Sequence, residues 1–322
     1  MTSRVTSSRD GPAGALPSTS PLHSPDDDRR RPAGGMSPPG GDVGAPATIE
    51  FEEQAVLARA RARRRWERLW QIGVFVLIVG GWEAAAQTGF ADPFFFGQPS
   101  GVARTIWRWV TRGTPQGPLW AHVVVTLEET ILAFLIGVVL GVVAGFALGR
   151  NRTLAAIFGP YVRMGNAIPR VILGSIFVIW LGLGMASKVA LGVTLTFFVV
   201  FFNAFQGVRE VDPNLINNAR VLGANPRQLS FDVMLPSALS WITSSLHTSF
   251  GFALVGAVVG EFIGSNQGLG YLVAAAQGAF NANGVFAAMV ILSVVALIAD
   301  TLVTRLEHRL TPWRPPAQRI GP

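Results

Sequence analysis

The chain has 322 residues, of which 50% are hydrophobic and 14% charged, whereas a soluble protein carries about 25% charged residues. It has no cysteine, which excludes a disulfide framework, a thiol nucleophile and a zinc site with cysteine ligands. The formal net charge is +7, and all but one of the 26 basic residues are arginine, which is typical of a chain that meets a membrane surface or a nucleic acid.

The chain begins with residues 1–50, which are rich in Pro, Gly, Ser and Asp and contain few large apolar residues. This composition cannot bury enough apolar surface to fold, and it has no apolar segment of the signal-peptide type. We therefore expect a disordered tail. Residues 51–68, with six arginines between Arg59 and Arg68, predict a basic juxtamembrane helix that runs into the first apolar segment.

Residues 69–310 are rich in Leu, Val, Ile, Phe and Gly and contain six long apolar runs. Because runs of about 20 residues can cross a bilayer core of about 30 Å, we predict an all-α polytopic membrane protein with six transmembrane helices. The predicted spans are Leu69–Ala86, Val123–Leu148, Ala167–Leu183, Val189–Phe205, Ile242–Ile263 and Val285–Val303. Between the first two, Gly101–Thr111 carries Arg104 and Arg108 on one side and is expected to lie along the membrane interface.

Six spans place both termini on one side of the membrane, and the positive-inside rule indicates which side. With the N-terminus in the cytoplasm, the inner segments hold sixteen arginines, and the outer segments hold three arginines and one lysine. This distribution predicts cytoplasmic N-terminal and C-terminal tails, the latter at 311–322, and a cytoplasmic loop at 210–236. It also explains the net charge by membrane topology, so we expect no nucleic-acid partner.

The second predicted span contains Gly137, Gly141 and Gly145 at a strict spacing of four, followed by Gly149. One face of this helix is therefore almost bare backbone, which allows another helix to approach closely. That neighbour is either a helix of the same chain or a helix of a second copy, and we favour packing within the chain.

The loop at 210–236 carries two helix-start signals. Asp212-Pro213 and Asn225-Pro226 each place a capping residue before a proline at the first helical position. Gly223 is placed to end the first helix, and Pro236 is expected to close the module. We therefore predict a helix-turn-helix whose first helix has about ten residues.

The first of these helices has one apolar stripe, made by Leu215, Ile216, Ala219, Leu222 and Gly223. A helix this short is marginal alone in water, so its stripe must pack on its own protein or on a partner. The alternatives are an amphipathic connector on the bilayer surface and a helix-turn-helix that reads DNA. The DNA-reading alternative is disfavoured because both ends of the loop are held at the membrane.

The spacing Ala219-x3-Gly223-x9-Val233-x-Leu235-Pro236 resembles the EAA motif of importer-type ABC transporter permeases, E-A-A-x3-G-x9-I-x-L-P. Asn217 and Asn218 stand at the first two positions of that motif, where the family often has Glu and Ala. Further stretches resemble the nitrate, sulfonate and taurine branch of these permeases: Ala167–Arg170, Trp180–Gly184, Ala186–Lys188, Gly260–Gly264 and Gly268–Tyr271. The resemblance covers residues 65–310, approximately.

The resemblance implies a MetI-like importer permease fold in the bacterial cytoplasmic membrane. It implies a homodimer with a second permease copy, two copies of a cytoplasmic ATP-binding subunit and an extracytoplasmic substrate-binding protein. The ATPase-coupling residues would be Leu215, Ile216, Ala219, Gly223, Leu235 and Pro236. The solute would be small and polar or anionic, of the sulfonate, taurine, nitrate or thiamine-precursor class, and would be moved by alternating access.

We predict no catalytic residue, cofactor or metal site. The only lysine, Lys188, lies in Ser-Lys-Val, so the chain has no P-loop, and its four histidines lack H-E-x-x-H spacing. Any ATP hydrolysis would therefore occur on a partner. The ionisable residues near the membrane interior, Glu128, Glu129, Glu261 and Arg170, are candidates either for a functional role or for structural contacts, and we assign Glu261 and Arg170 to a possible gate or solute pathway. The alternative function is a secondary transporter or channel without an ATPase, which would need several charges within the spans.

Overall fold

The computed structural model describes the backbone of residues 46–310 and the side chains of Arg63 and residues 66–305. The predicted tails at 1–50 and 311–322 therefore lie outside the described residues, apart from residues 46–50, which are helical. The chain divides into two compact units between Trp66 and Glu67.

The described residues form helices and no strand, which agrees with the all-α prediction. In chain order the helices are α1 (Pro46–Gln87), α2 (Pro93–Phe96), α3 (Pro99–Arg112), α4 (Leu119–Arg150), α5 (Arg152–Ala167), α6 (Arg170–Leu181), α7 (Met185–Arg209), α8 (Pro213–Val221), α9 (Pro226–Gln228), α10 (Leu235–Ile263), α11 (Leu269–Gly278) and α12 (Ala282–Leu310). A π-helical segment, Leu229–Met234, joins α9 to α10.

Five helical segments in the described part of the chain are long and apolar enough to cross a membrane. They are Trp66–Gln87, Leu119–Arg150, Met185–Arg209, Pro226–Ile263 and Ala282–Arg305. These segments contain the first, second, fourth, fifth and sixth predicted spans. Each is longer than the apolar run that predicts it, because helical hydrogen bonding continues into the polar flanks.

The third predicted span, Ala167–Leu183, is not one straight helix. Its residues are divided between the end of α5 and α6, which meet at an angle of 90°. The proline ring of Pro169 moves Ile168 out of the helical region, to φ −66° and ψ 129°. Since α6 has 12 residues and rises only about 18 Å, it can cross a bilayer core only together with α5. Counted as one broken span, the pair brings the number of spans to six within the described residues.

Helices α4, α7 and α10 pack together at the centre of the fold. The glycine face of α4 lies against α7 of the same chain. A Cβ atom added at Gly137 would meet the Thr196 side chain at 2.6 Å, and one added at Gly145 would meet the Phe201 carbonyl at 2.5 Å. Gly141 is equally crowded by α7. Because these glycines have no side chain, α4 and α7 come into backbone contact.

Pro236 does not close the 210–236 module as predicted. The chain is helical without interruption from Pro226 to Ile263. A proline inside an α-helix loses a hydrogen bond and clashes with the preceding turn. Here a wider π turn comes just before it, in which the Leu235 N–H donates to the Ser230 carbonyl. The wider turn accommodates the proline ring, so the second helix of the module continues as α10.

Candidate functional site: the 210–236 segment and the Glu261 cluster

Helix α8 begins and ends at the predicted signals. The Asp212 carboxylate caps its start by accepting a hydrogen bond of 2.8 Å from the Asn214 N–H. Just past its end, Gly223 has φ +86°, a left-handed conformation in which a side chain is strained. The Ala224 N–H then donates to the Ala219 carbonyl at 3.0 Å. The polar ends of this short helix are therefore satisfied locally.

The turn after Gly223 leads into a reciprocal capping box. The Asn225 side chain accepts hydrogen bonds of 2.9 Å from the N–H groups of Arg227 and Gln228. The Gln228 side chain in turn accepts a bond of 2.9 Å from the Asn225 N–H. The Asn-Pro signal thus starts the second helix as predicted, and Gln228 adds the second half of the box.

The apolar stripe of α8 is divided between two environments. Ile216 and Ala219 are half-buried, and Ile216 lines a cavity of this chain. Leu215 and Leu222 are exposed, Leu222 to 86%. Val221, which lies outside the predicted stripe, is exposed to 87%. We call Leu215 and Val221, together with Leu222 just past the end of the helix, the exposed apolar patch of α8.

The remaining predicted coupling residues differ in their positions. Gly223 is exposed, and a Cβ atom added there would meet nothing within 4 Å. Leu235 is half-buried and lines a cavity of this chain beside Phe146 and Phe231. Pro236 is exposed in the first turn of α10. The structure therefore leaves the patch and Gly223 exposed, while Leu235 faces its own fold.

Glu261 belongs to a buried polar cluster at the far end of α10. It is 1% exposed, and its two carboxylate oxygens accept hydrogen bonds of 2.6 Å from the Thr126 hydroxyl and from the Gly270 N–H. The Thr126 oxygen also accepts from the Leu269 N–H at 2.9 Å, and His122 Nδ1 accepts from the Gly268 N–H at 3.1 Å. These bonds tie α10 to α4 and to the start of α11.

Two further ionisable residues, Glu129 on α4 and Lys188 on α7, are buried in the core that α4, α7 and α10 form. Lys188 is fully buried and donates to the carbonyls of Leu183 and Gly184. Glu129 is 2% exposed, and its Oε2 atom has no hydrogen-bond partner. The sequence indicated Glu129, at the outer end of the second predicted span, as a candidate for a functional or structural role, but it did not indicate Lys188. For Lys188 the available signal was that the only lysine of the chain directly precedes the fourth apolar run, where an ionisable residue requires an explanation.

Arg170 lies at the bend between α5 and α6. Its guanidinium group donates to the Asn166 side chain and lies 5.4 Å from the centre of the Phe198 ring. The hydrogen-bond partners of Glu261 do not include it. The two residues predicted for a gate or pathway are thus engaged in separate contacts within the chain.

The fold and the 210–236 segment together define the class of this protein. It is a multi-pass membrane protein with a helix-turn-helix segment that continues directly into a span. Residues 137–312 match the family model of the binding-protein-dependent transport system inner membrane component. That range includes the glycine face of α4, the 210–236 segment and Glu261. The chain belongs to this family of ABC importer permeases, as the EAA-like spacing predicts.

Two relatives and one solved structure illustrate the family. The putative aliphatic sulfonates transport permease SsuC of Bacillus subtilis (strain 168) is 30% identical over 247 residues, which are 76% of this chain and 88% of SsuC. The formylaminopyrimidine transport permease ThiX of Halalkalibacterium halodurans is 29% identical over 253 residues, 78% of this chain and 98% of ThiX. A structure of the MetNI methionine ABC transporter in inward-facing conformations matches with a TM-score of 0.52 at 21% identity. The match covers 60% of this chain and 96% of the chain in that structure. The last comparison shows that the predicted MetI-like fold is present.

Proposed function

We propose that this chain is the membrane-spanning subunit through which an ATP-driven importer moves its solute, and that α8 docks onto the ATP-binding subunit. The observation that carries the proposal is the exposed apolar patch, which lies on a short helix between two spans of a chain without a P-loop. Leu215 and Leu222 are two helical turns apart and so lie on one face, and an exposed apolar face is typical of a surface that a partner covers. A groove of the ATP-binding subunit would receive α8.

The connection from α8 into the membrane supports mechanical coupling. The Gly223 turn and the Asn225 capping box join α8 to a continuous helix, Pro226–Ile263, which has 38 residues and is about 57 Å long. A movement of α8 in the groove of the ATP-binding subunit would pass along this helix as a rigid-body shift. The π-helical segment Leu229–Met234 is the place where we expect the helix to bend.

The Glu261 cluster lies at the other end of the same helix. Its hydrogen bonds through Thr126 and Gly270 join the end of α10 to α4 and α11. We propose that this tie makes the three helices move together when the ATP-binding subunits close, so that the spans switch between inward-open and outward-open states. A direct contact of Glu261 or Arg170 with the solute stays a prediction.

Family membership supports the further parts of the proposal. We propose a homodimer of permeases with two ATP-binding subunits and a substrate-binding protein, in the bacterial inner membrane, with both termini in the cytoplasm. The names of SsuC and ThiX refer to aliphatic sulfonates and to formylaminopyrimidine. We therefore propose a small polar or anionic solute of the sulfonate, taurine, nitrate or thiamine-precursor class, selected by the binding protein.

The alternative is a secondary transporter or channel that works without an ATPase. The buried residues Glu129, Lys188 and Glu261 favour it, because ionisable groups within spans can carry coupling ions. Two of them form hydrogen bonds within the chain. Lys188 donates to the carbonyls of Leu183 and Gly184, and Glu261 accepts from Thr126 and Gly270. We therefore propose the ATP-driven function in preference to this alternative.

Uptake into proteoliposomes distinguishes the two functions. The permease reconstituted with its ATP-binding subunit and binding protein is expected to accumulate solute only when ATP is supplied on the side of the ATP-binding subunit. A control in which the P-loop lysine of that subunit is replaced by alanine should give no more uptake than empty vesicles. Uptake by the permease alone, driven by an imposed proton or sodium gradient, would establish the alternative.

A further inference from the structure

Four arginines surround a cavity of about 670 Å³ beside α8: Arg150, Arg152, Arg209 and Arg220. They come from the end of α4, the start of α5, the end of α7 and α8 itself, and the other lining residues include no acid. Within the described part of the chain, their guanidinium groups form no hydrogen bond or ion pair. Four positive charges therefore face one space without a counter-charge.

Two of these arginines, Arg152 and Arg209, also line a second cavity, of about 390 Å³, between α5 and α7. A third arginine, Arg163, lines it as well. Its other walls are apolar and include three rings of α7, those of Phe201, Phe202 and Phe205. The Arg209 guanidinium group lies 4.7 Å from the centre of the Phe205 ring. The two cavities thus share a basic edge, and the second adds an apolar slot.

We propose that the two cavities hold one anionic phospholipid, with its phosphate group among the four arginines and an acyl chain in the apolar slot. Guanidinium groups bind phosphate oxygens through paired, charge-assisted hydrogen bonds. Arg150 and Arg209 are the last residues of two membrane-spanning segments, which is the level at which lipid headgroups lie. A free phosphate would use the arginines and leave the apolar slot unfilled.

The bound phosphate would join α8 to the membrane-spanning core. Arg220 and Ile216 of α8 line the same cavity as Arg150 and Arg152. An anion between them would neutralise arginines that otherwise repel one another and would hold α8 against the ends of α4 and α7. This consequence rests on the proposed coupling role of α8, whereas the binding of the lipid does not.

Native mass spectrometry of the full-length permease, titrated with dioleoylphosphatidylglycerol, tests the site. The double variant Arg152→Gln/Arg209→Gln should weaken binding about thirtyfold, because each arginine near an anionic headgroup contributes a factor of about five. Binding of dioleoylphosphatidylcholine should stay unchanged. The matched control, Arg104→Gln/Arg108→Gln on α3, removes the same charge from exposed positions that line neither cavity and should change the affinity of this site less than about twofold.

A second variant and two soluble competitors separate a lipid from a free anion. Ala155→Trp fills the apolar slot, and should weaken phosphatidylglycerol binding while thermal stability stays as in the unmodified protein. Inorganic phosphate and glycerol 3-phosphate should fail to displace the lipid at millimolar concentration. The proposal would be overturned if the two double arginine variants lost phosphatidylglycerol affinity equally, or if either soluble phosphate displaced the lipid. Such a failure leaves the uptake experiment above unaffected.

Discussion

A permease carrying Gly223→Glu is expected to insert into the membrane normally and to lose its association with the ATP-binding subunit. Gly223 is exposed, and a Cβ atom added there would meet nothing within 4 Å, so folding of the spans has no reason to fail. The substitution places a carboxylate beside the exposed apolar patch and a side chain at φ +86°. Burying that carboxylate in a groove without a partner should weaken association at least about hundredfold.

Two further variants separate the effect of the added charge on ATP-binding-subunit association from the effect of backbone strain at position 223. Gly223→Asn introduces a side chain that tolerates a positive φ and carries no charge, so it should keep most of the association. Leu222→Glu adds a carboxylate at a neighbouring exposed position with φ −75° and should behave like Gly223→Glu. Affinity purification of the ATP-binding subunit with each variant measures the outcome. Unchanged recovery with Gly223→Glu and Leu222→Glu would refute docking through α8.

Replacing Gly145 by leucine should prevent the permease from folding to its native packing. A Cβ atom at this position would meet the Phe201 carbonyl at 2.5 Å and the Ala204 Cβ atom at 2.8 Å. Backbone cannot move aside as a flexible side chain can, so α4 and α7 must separate. Overpacking costs about 1–3 kcal/mol even in cores that can relax, and here we expect the upper end or more.

The matched control for this substitution is Gly81→Leu on α1. Gly81 is exposed, and a Cβ atom there would meet nothing within 4 Å. Fluorescence-detected gel filtration after heating compares the two variants with the unmodified permease. Gly145→Leu should lose the monodisperse peak at a lower temperature or never form it, and Gly81→Leu should match the parent. Equal stability of all three proteins would show that α4 and α7 are not in backbone contact.

Local signals in the 210–236 segment predict its structure well. Asp212, Gly223 and Asn225 act within two or three residues of their own positions, so the caps and the turn follow from the chain alone. The interpretation of Pro236 was wrong because a π turn, which depends on the backbone of the preceding residues, accommodates the proline ring. The third span was placed as one helix because hydropathy counts apolar residues and does not register the bend that Pro169 imposes.

Features that depend on packing between distant segments were less predictable. The glycine face of α4 was predicted to pack within the chain, but the sequence did not indicate that its partner is α7. Lys188 was not recognised as a site residue, because its burial depends on how α7 packs against its neighbours. The arginines around the cavity beside α8 were counted as markers of topology, and only the fold brings them to one place.

The central claim is that α8 lies in a groove of the ATP-binding subunit, and a crosslink tests it most directly. The chain has no cysteine, so Leu222→Cys gives a permease with a single thiol, to which a short photoreactive maleimide can be attached in membranes containing the whole transporter. We predict a crosslinked product with the ATP-binding subunit whose yield changes when ATP is added. The control, Trp107→Cys, is exposed on α3 and should give none. No product from Leu222→Cys, or an equal yield from Trp107→Cys, would contradict the account.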